Sequence, residues 1–199
     1  MRPHRGSAHS EAPHPAVPSQ GVDAVAVRLR SLVREIEGFP KPGIVFRDIT
    51  PLLADAAALD ETVRALADLA RPWEPDVVIG AEARGFLLGP AIAREIGCGF
   101  VLARKPGKLP HRTVRAEYAL EYGTDALELH ADAVGPGQRV LVHDDLLATG
   151  GTAQALCRLT ESAGGTVAGC LFLIELGFLD GAAKLTPHPT RSLLRDEAE

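Results

Sequence analysis

Apolar residues recur along this chain in two kinds of pattern, and each change of pattern marks an element. Val22, Val25, Leu29, Leu32, Val33 and Ile36 repeat at helical spacing, which predicts an amphipathic helix stopped at Gly38 and Pro40. Leu59, Val63, Leu66 and Ala70 repeat in the same way and predict a second helix, capped by Asp55 and ended at Pro72. Short aliphatic runs follow at Val77-Val78-Ile79, Phe100-Val101-Leu102, Val140-Leu141-Val142 and from Val167 to Leu176. Runs this short and this uniformly apolar read as buried strands. Helical segments fall between them, from Phe86 to Ile96 before Gly97 and from Thr152 to Ala163 before Gly164-Gly165. Strand–helix–strand alternation predicts an α/β fold, a parallel twisted sheet with helices on both faces. Tyr118, Leu120, Tyr122, Leu127 and Leu129 alternate loosely around Gly123-Thr124, which predicts a hairpin over residues 117–130.

The first 20 residues break these patterns. They hold four prolines (Pro3, Pro13, Pro15, Pro18), the histidines His4, His9 and His14, and no large apolar residue beyond Met1 and Val17. Such a segment cannot offset its ordering entropy by burial. Residues 1–20 are therefore expected to be a disordered tail and residues 21–199 a single domain. No apolar run follows the early arginines, which argues against a signal peptide.

Composition narrows the classes further. The chain is 199 residues long, 46% apolar and 24% charged, the make-up of a soluble protein able to bury a core. It has no uncharged apolar stretch of about 18 residues, so no membrane span is expected. A net charge of −5 disfavours nucleic acid as a partner. Cys98, Cys157 and Cys170 are odd in number and not closely spaced. That pattern fits neither a disulfide framework nor a zinc site, and it suits a cytoplasmic location.

The chemistry concentrates in residues 140–152, where Val140-Leu141-Val142-His143 leads into Asp144-Asp145, then Leu146-Leu147-Ala148-Thr149-Gly150-Gly151-Thr152. Glycines at a strand-to-helix turn let the backbone approach an anion and aim its N–H groups at it. The opening helix adds the positive end of its dipole, so the turn is a phosphate cradle. Thr149 and Thr152 can add hydroxyl donors. No lysine follows the glycines, which separates this turn from the P-loop of nucleoside triphosphatases. Two carboxylates beside a phosphate cradle suit a sugar diol and can share a cation. Asp144, Asp145, Ala148, Thr149, Gly150, Gly151 and Thr152 thus form a candidate ribose 5-phosphate site. His143 should point away from Asp144 on a strand, as a buried, satisfied histidine.

This stretch resembles the phosphoribosyl pyrophosphate signature of the type I phosphoribosyltransferases. Phe39-Pro40-Lys41-Pro42-Gly43-Ile44-Val45-Phe46-Arg47-Asp48-Ile49, Ala83-Arg84-Gly85-Phe86, Arg104-Lys105-Pro106-Gly107-Lys108-Leu109-Pro110 and Leu120-Glu121-Tyr122-Gly123 resemble, in the same order, the adenine phosphoribosyltransferase branch. The resemblance implies the type I fold with a flexible hairpin loop over the active site. It also implies transfer of a phosphoribosyl group to adenine with Mg²⁺, giving AMP and pyrophosphate, in a cytoplasmic homodimer of purine salvage. On the same ground Arg84, Arg104, Lys105 and Lys108 would bind pyrophosphate, with Arg104 reaching across the dimer. Glu121 would be the general base and Tyr122 a lid residue. Backbone groups of Val45 and Arg47 would read adenine while Phe46 stacks on it. The Glu82-Ala83 bond would be a non-proline cis peptide. Two other readings are a phosphoribosyltransferase for a different nucleobase and a regulator that senses phosphoribosyl pyrophosphate.

Charge distribution gives the loop its own signature. Residues 101–116 carry Arg104, Lys105, Lys108, Arg112 and Arg115 with no acid, and residues 117–132 carry Glu117, Glu121, Asp125, Glu128 and Asp132 with no Lys or Arg. Such a block is usually a solvated face. Beside a phosphate cradle, its cations also suit a pyrophosphate leaving group.

Overall fold

The computed structural model describes residues 19–119 and 124–198. Of the expected tail, only the last two residues are described, and they already open α1 (Ser19–Arg30). That helix is shorter than its apolar period suggests. Past Arg30 the chain turns into β1 (Arg34–Glu37), which pairs antiparallel with β2 (Val45–Asp48), Ile36 lying opposite Phe46. Val33 and Ile36 keep helical spacing with Leu29, yet both are β-branched and suit an extended chain. Cross-strand pairing overrides the local period here.

The second helix forms as its pattern predicts. After α2 (Thr50–Ala54), α3 runs Ala56–Ala70, and the Asp55 carboxylate caps it by accepting from the Ala58 N–H at 2.8 Å. A 3₁₀ turn carrying Pro72 closes it at Arg71–Trp73. The aliphatic runs become β3 (Val77–Ala81), β4 (Gly99–Ala103), β7 (Arg139–Leu147) and β8 (Thr166–Leu176). The helices between them are α4 (Gly85–Ile96) and α5 (Gly151–Ser162). The hairpin is β5 (Thr113–Ala119) with β6 (Thr124–His130), beginning four residues earlier than its alternation shows. One further strand, β9 (Thr190–Asp196), has only Leu193 and Leu194 as an apolar signal.

Among the described residues the central sheet has the order β4-β3-β7-β8-β9, every neighbouring pair parallel. α5 and the hairpin cover one face, packing Leu156, Leu159, Leu127 and Leu129 against Val140, Val142 and Phe172. α1, α3 and α4 cover the other, packing Leu29, Leu66, Leu88 and Ile92 against Leu141, Leu171 and Leu173. The fold class expected from the sequence is the one observed.

Strand order positions the site. From β3 the chain moves outward through α4 to β4; from β7 it moves outward the other way through α5 to β8 and β9. The reversal falls between β3 and β7. In an open parallel sheet, the crevice outside the strand ends at such a reversal is where ligands bind.

Candidate active site

The residues closing that crevice are the ones the sequence singles out. β7 does not stop at the acidic pair but carries both carboxylates and ends at Leu147. Ala148, Thr149 and Gly150 make the turn into α5. Gly150 has φ +78°, and a Cβ there would lie 2.4 Å from the Gly181 carbonyl oxygen, so only glycine fits. The first N–H groups of α5 have no acceptor within the helix. They face a cleft of about 160 Å³ lined by Arg84, Tyr118, Asp144 and the run from Leu146 to Ala153.

The two aspartates differ in setting. Asp144 lines the cleft, and its Oδ1 accepts from the Asp145 N–H at 3.0 Å. Asp145 is 2% exposed, with Oδ2 3.3 Å from Arg84 Nε. Its Oδ1 is buried with no partner among the described residues. Burial raises both carboxyl pKa values above the usual aspartate range; Asp144 is raised further by the Asp145 charge, while Arg84 opposes the rise at Asp145. Two partly desolvated acceptors beside a row of N–H donors can take a polyhydroxylated phosphate ester whole.

The expected pyrophosphate cations divide. Arg84 reaches the cleft. Arg104 Nε lies 2.9 Å and Lys108 Nζ 2.7 Å from the Glu82 carboxylate, which also accepts from the Lys105 N–H at 3.0 Å. Lys105 Nζ pairs with Asp125 and donates to the Tyr118 hydroxyl at 3.0 Å. Glu82 precedes the Glu82-Ala83 peptide, which is cis. Glu121 and Tyr122 lie outside the described residues.

A second cavity, of about 350 Å³, adjoins the first and shares Leu146, Ala148 and Thr149 with it. Its other walls are Gly43 to Arg47 together with Leu176, Phe178 and Leu179. The β1–β2 register decides what β2 shows it. Gly38 N–H donates to the Ile44 carbonyl at 2.8 Å, so Gly38–Ile44 and Ile36–Phe46 are hydrogen-bonded pairs. Val45 and Arg47 fall on the intervening positions, and their main-chain groups point away from β1. The Val45 carbonyl, which accepts from Arg47 Nη1 at 3.2 Å, and the Arg47 main-chain N–H therefore flank Phe46 on an outward edge. Phe46 itself stacks edge-on with Phe39, ring centroids 5.2 Å apart, and carries the Arg84 guanidinium 5.5 Å over its ring.

His143 is fully buried, but only half satisfied. Its Nδ1 meets the Leu171 carbonyl at 3.0 Å, while Nε2 has no partner among the described residues. Sequence reasoning also missed Glu82, Tyr118, Gly181 and the Leu176–Leu179 wall. Of these, only Gly177 and Gly181 after a long apolar strand could have flagged a close backbone approach.

Strand order, phosphate cradle and adjoining apolar cavity define a class: an α/β protein built to hold a phosphorylated sugar beside a flat ring. The sequence matches the phosphoribosyl transferase domain over residues 49–188. It is 59% identical over 157 residues to the adenine phosphoribosyltransferase of Rubrobacter xylanophilus, covering 79% of this chain and 85% of that protein. The fold superposes on the adenine phosphoribosyltransferase crystal structure from Thermoanaerobacter pseudethanolicus with TM-score 0.84 at 50% identity, covering 86% of this chain and 99% of that one. The Saccharomyces cerevisiae enzyme, solved with an imino-altritol bisphosphate and adenine, gives TM-score 0.82 at 35% identity over 86% and 99% of the two chains. This chain belongs to the phosphoribosyltransferase family, within its adenine phosphoribosyltransferase branch.

Proposed function

We propose that this chain transfers the phosphoribosyl group of 5-phosphoribosyl 1-pyrophosphate to adenine, releasing pyrophosphate and AMP in purine salvage. The carrying observation is the shared wall of the two cavities: Leu146, Ala148 and Thr149 separate a phosphate cradle from an apolar slot with a carbonyl–N–H edge. A sugar phosphate in the first and a base in the second would meet at this wall. Adenine offers an exocyclic amine to the Val45 carbonyl and an unprotonated N1 to the Arg47 N–H. A 6-oxopurine reverses both polarities, and buried mismatches are costly.

Glycosyl transfer passes through an oxocarbenium-like state, so the protein's task is alignment and stabilisation of the departing charge. Asp144 and Asp145 would hold the ribose hydroxyls, and Ala148 to Thr152 the 5-phosphate. Arg84 would meet the pyrophosphate, joined by Lys105, Lys108 and Arg104 as they exchange Asp125 and Glu82 for the substrate. The hairpin would close over the reaction and exclude water. Glu121 would accept the proton adenine loses, and Tyr122 would order the lid.

The donor set suits Mg²⁺ carried in by the substrate. Among the described residues no group of three or more His, Cys, Asp or Glu side chains is arranged to hold a metal, while Asp145 keeps a buried, unpartnered oxygen. Such carboxylates complete a shell made mainly by phosphates and water. When bound, the ion neutralises charge on the leaving pyrophosphate.

The proposal extends to a cytoplasmic homodimer. Leu87 on α4 and Leu102 on β4 are 48% and 44% exposed at the sheet edge, a surface that suits a second copy. No helix among the described residues is long and apolar enough to cross a membrane.

Turnover with adenine, hypoxanthine, guanine, xanthine and uracil tests the reading. Adenine should be used best by a wide margin; a different preferred base refutes the assignment of the Val45–Arg47 edge.

A further inference from the structure

Arg47 is a nearly buried cation, 7% exposed, and its charge is met from the far end of the chain. Its Nε donates to Asp196 Oδ2 on β9 at 2.7 Å. Asp196 is itself 8% exposed, and its other oxygen accepts from Arg30 of α1. The nearest alternative acid, Glu35, lies 3.7 Å from the same Nε and is mostly exposed. Arg47 also lines the base cavity, and its Nη1 donates to the Val45 carbonyl at 3.2 Å.

These contacts form one line from Asp196 through the Arg47 fork to the Val45 carbonyl. The guanidinium is planar and its N–H groups diverge at fixed angles, so anchoring Nε decides where Nη1 points. Nη1 takes one lone pair of the Val45 carbonyl and leaves the other for a ligand. The same residue supplies the neighbouring outward N–H from its main chain. We infer that Asp196 is the positioning residue of the base-reading edge, setting the donor–acceptor pair of Val45 and Arg47 without touching the base. The inference rests on the base-reading role proposed for that edge.

Without the Asp196 charge, the buried guanidinium is uncompensated and turns toward Glu35 or solvent. Nη1 then leaves the Val45 carbonyl, and strand β2 loses its tie to β9. The phosphate cradle is built from β7 and α5, and among the described residues the Asp196 carboxylate bonds to Arg30 and Arg47, outside that cradle, so handling of the sugar donor should not change.

The test is steady-state kinetics of D196N with the base that wild-type protein turns over best. The KM for that base should rise about 5–20-fold, with kcat and the KM for phosphoribosyl pyrophosphate within about twofold of wild type. D196E should recover part of the loss. E175Q is the structural comparison. Glu175 is 5% exposed and pairs with Arg195 of β9 at 2.9 Å, so its loss loosens the same strand without reaching Arg47; the base KM should stay put. An unchanged base KM in D196N, a parallel change in all three parameters, or an equal rise in E175Q overturns the inference. Should D196N not fold, R47K carries the same test, since it keeps the charge and loses the fork; an unchanged base KM there overturns it as well. A wild-type preference for a base other than adenine would overturn the adenine reading alone, because the Asp196 effect is read on whichever base is used.

Discussion

Acidifying this protein from about pH 7 to about pH 5 should cost it stability through His143, by an amount the structure sets. The imidazole lies in β7 between Gly80 of β3 and Leu171 of β8 and is fully buried. A carbonyl only accepts, so Nδ1, 3.0 Å from the Leu171 oxygen, carries the hydrogen and Nε2 is the bare nitrogen. Protonating Nε2 would create a buried charge whose new N–H meets no acceptor among the described residues. Burial accordingly pushes the histidine pKa down from 6.5 to about 4, against the Leu171 hydrogen bond, which favours the charged form. The unfolded chain takes up this proton near pH 6.5 and the folded chain only near 4. In that window the unfolded state holds more protons, and stability falls as pH falls. With about 1.4 kcal/mol per pKa unit, the loss is about 2 kcal/mol by pH 5 and about 3 kcal/mol below pH 4.

Asp144 and Asp145 act in the opposite sense. Their raised pKa values mean that the folded chain binds protons more readily than the unfolded one, so acidification relieves a cost there. A pH profile of wild type alone therefore mixes two signs. The comparison with H143V separates them, since both chains keep the aspartates and the cavity left by valine costs the same at every pH. Urea unfolding at pH 7, 6 and 5 should show the variant gaining about 2 kcal/mol on wild type between the extremes. A difference constant to within about 0.5 kcal/mol would show that His143 does not titrate in this window and would refute the reasoning.

Two further outcomes follow from the cradle. G150A forces a Cβ to 2.4 Å from the Gly181 carbonyl oxygen at φ +78°, and should lose about 2–4 kcal/mol in urea unfolding; a loss under about 0.5 kcal/mol would mean the turn tolerates a side chain. D144N and D145N should each raise the KM for phosphoribosyl pyrophosphate about 10–100-fold by weakening charge-assisted hydrogen bonds to the diol, without losing stability, because each removes a desolvated charge. Unchanged kinetics would remove both residues from the sugar site.

What the sequence shows of this fold is what neighbours in the chain decide. Val77 to Ile79, Val140 to Val142 and α4 with its Gly97 terminator are legible because a few adjacent side chains settle them. β1 and β9 are not, because short strands of mixed polarity are defined by their partners, β2 and β8. The same division runs through the site. Asp144, Asp145 and the glycine turn stand together in sequence and stand together in space. Gly181 closes on Gly150 from 31 positions away, and no local signal links them.

The charged loop shows why residue type alone is an incomplete guide. Five cations followed by five acids read as a grip for a pyrophosphate group. The fold instead satisfies most of those cations internally: Lys105 by Asp125, Arg115 by Glu117, and Arg104 with Lys108 by Glu82, an acid outside the block. Their availability to a ligand depends on a contest with these carboxylates, of which Glu82 and Asp125 are partly desolvated. A single negative charge offers a lysine no more than Asp125 does. A pyrophosphate offers several charges at once to several cations, and exchange becomes favourable only when they move together. The hairpin would supply that coupling, because Lys105 lies on the segment leading into β5 and its partner Asp125 lies in β6. On the proposed reading, selectivity for the pyrophosphate-bearing donor would follow from how the cations are held, which no count of them along the chain contains.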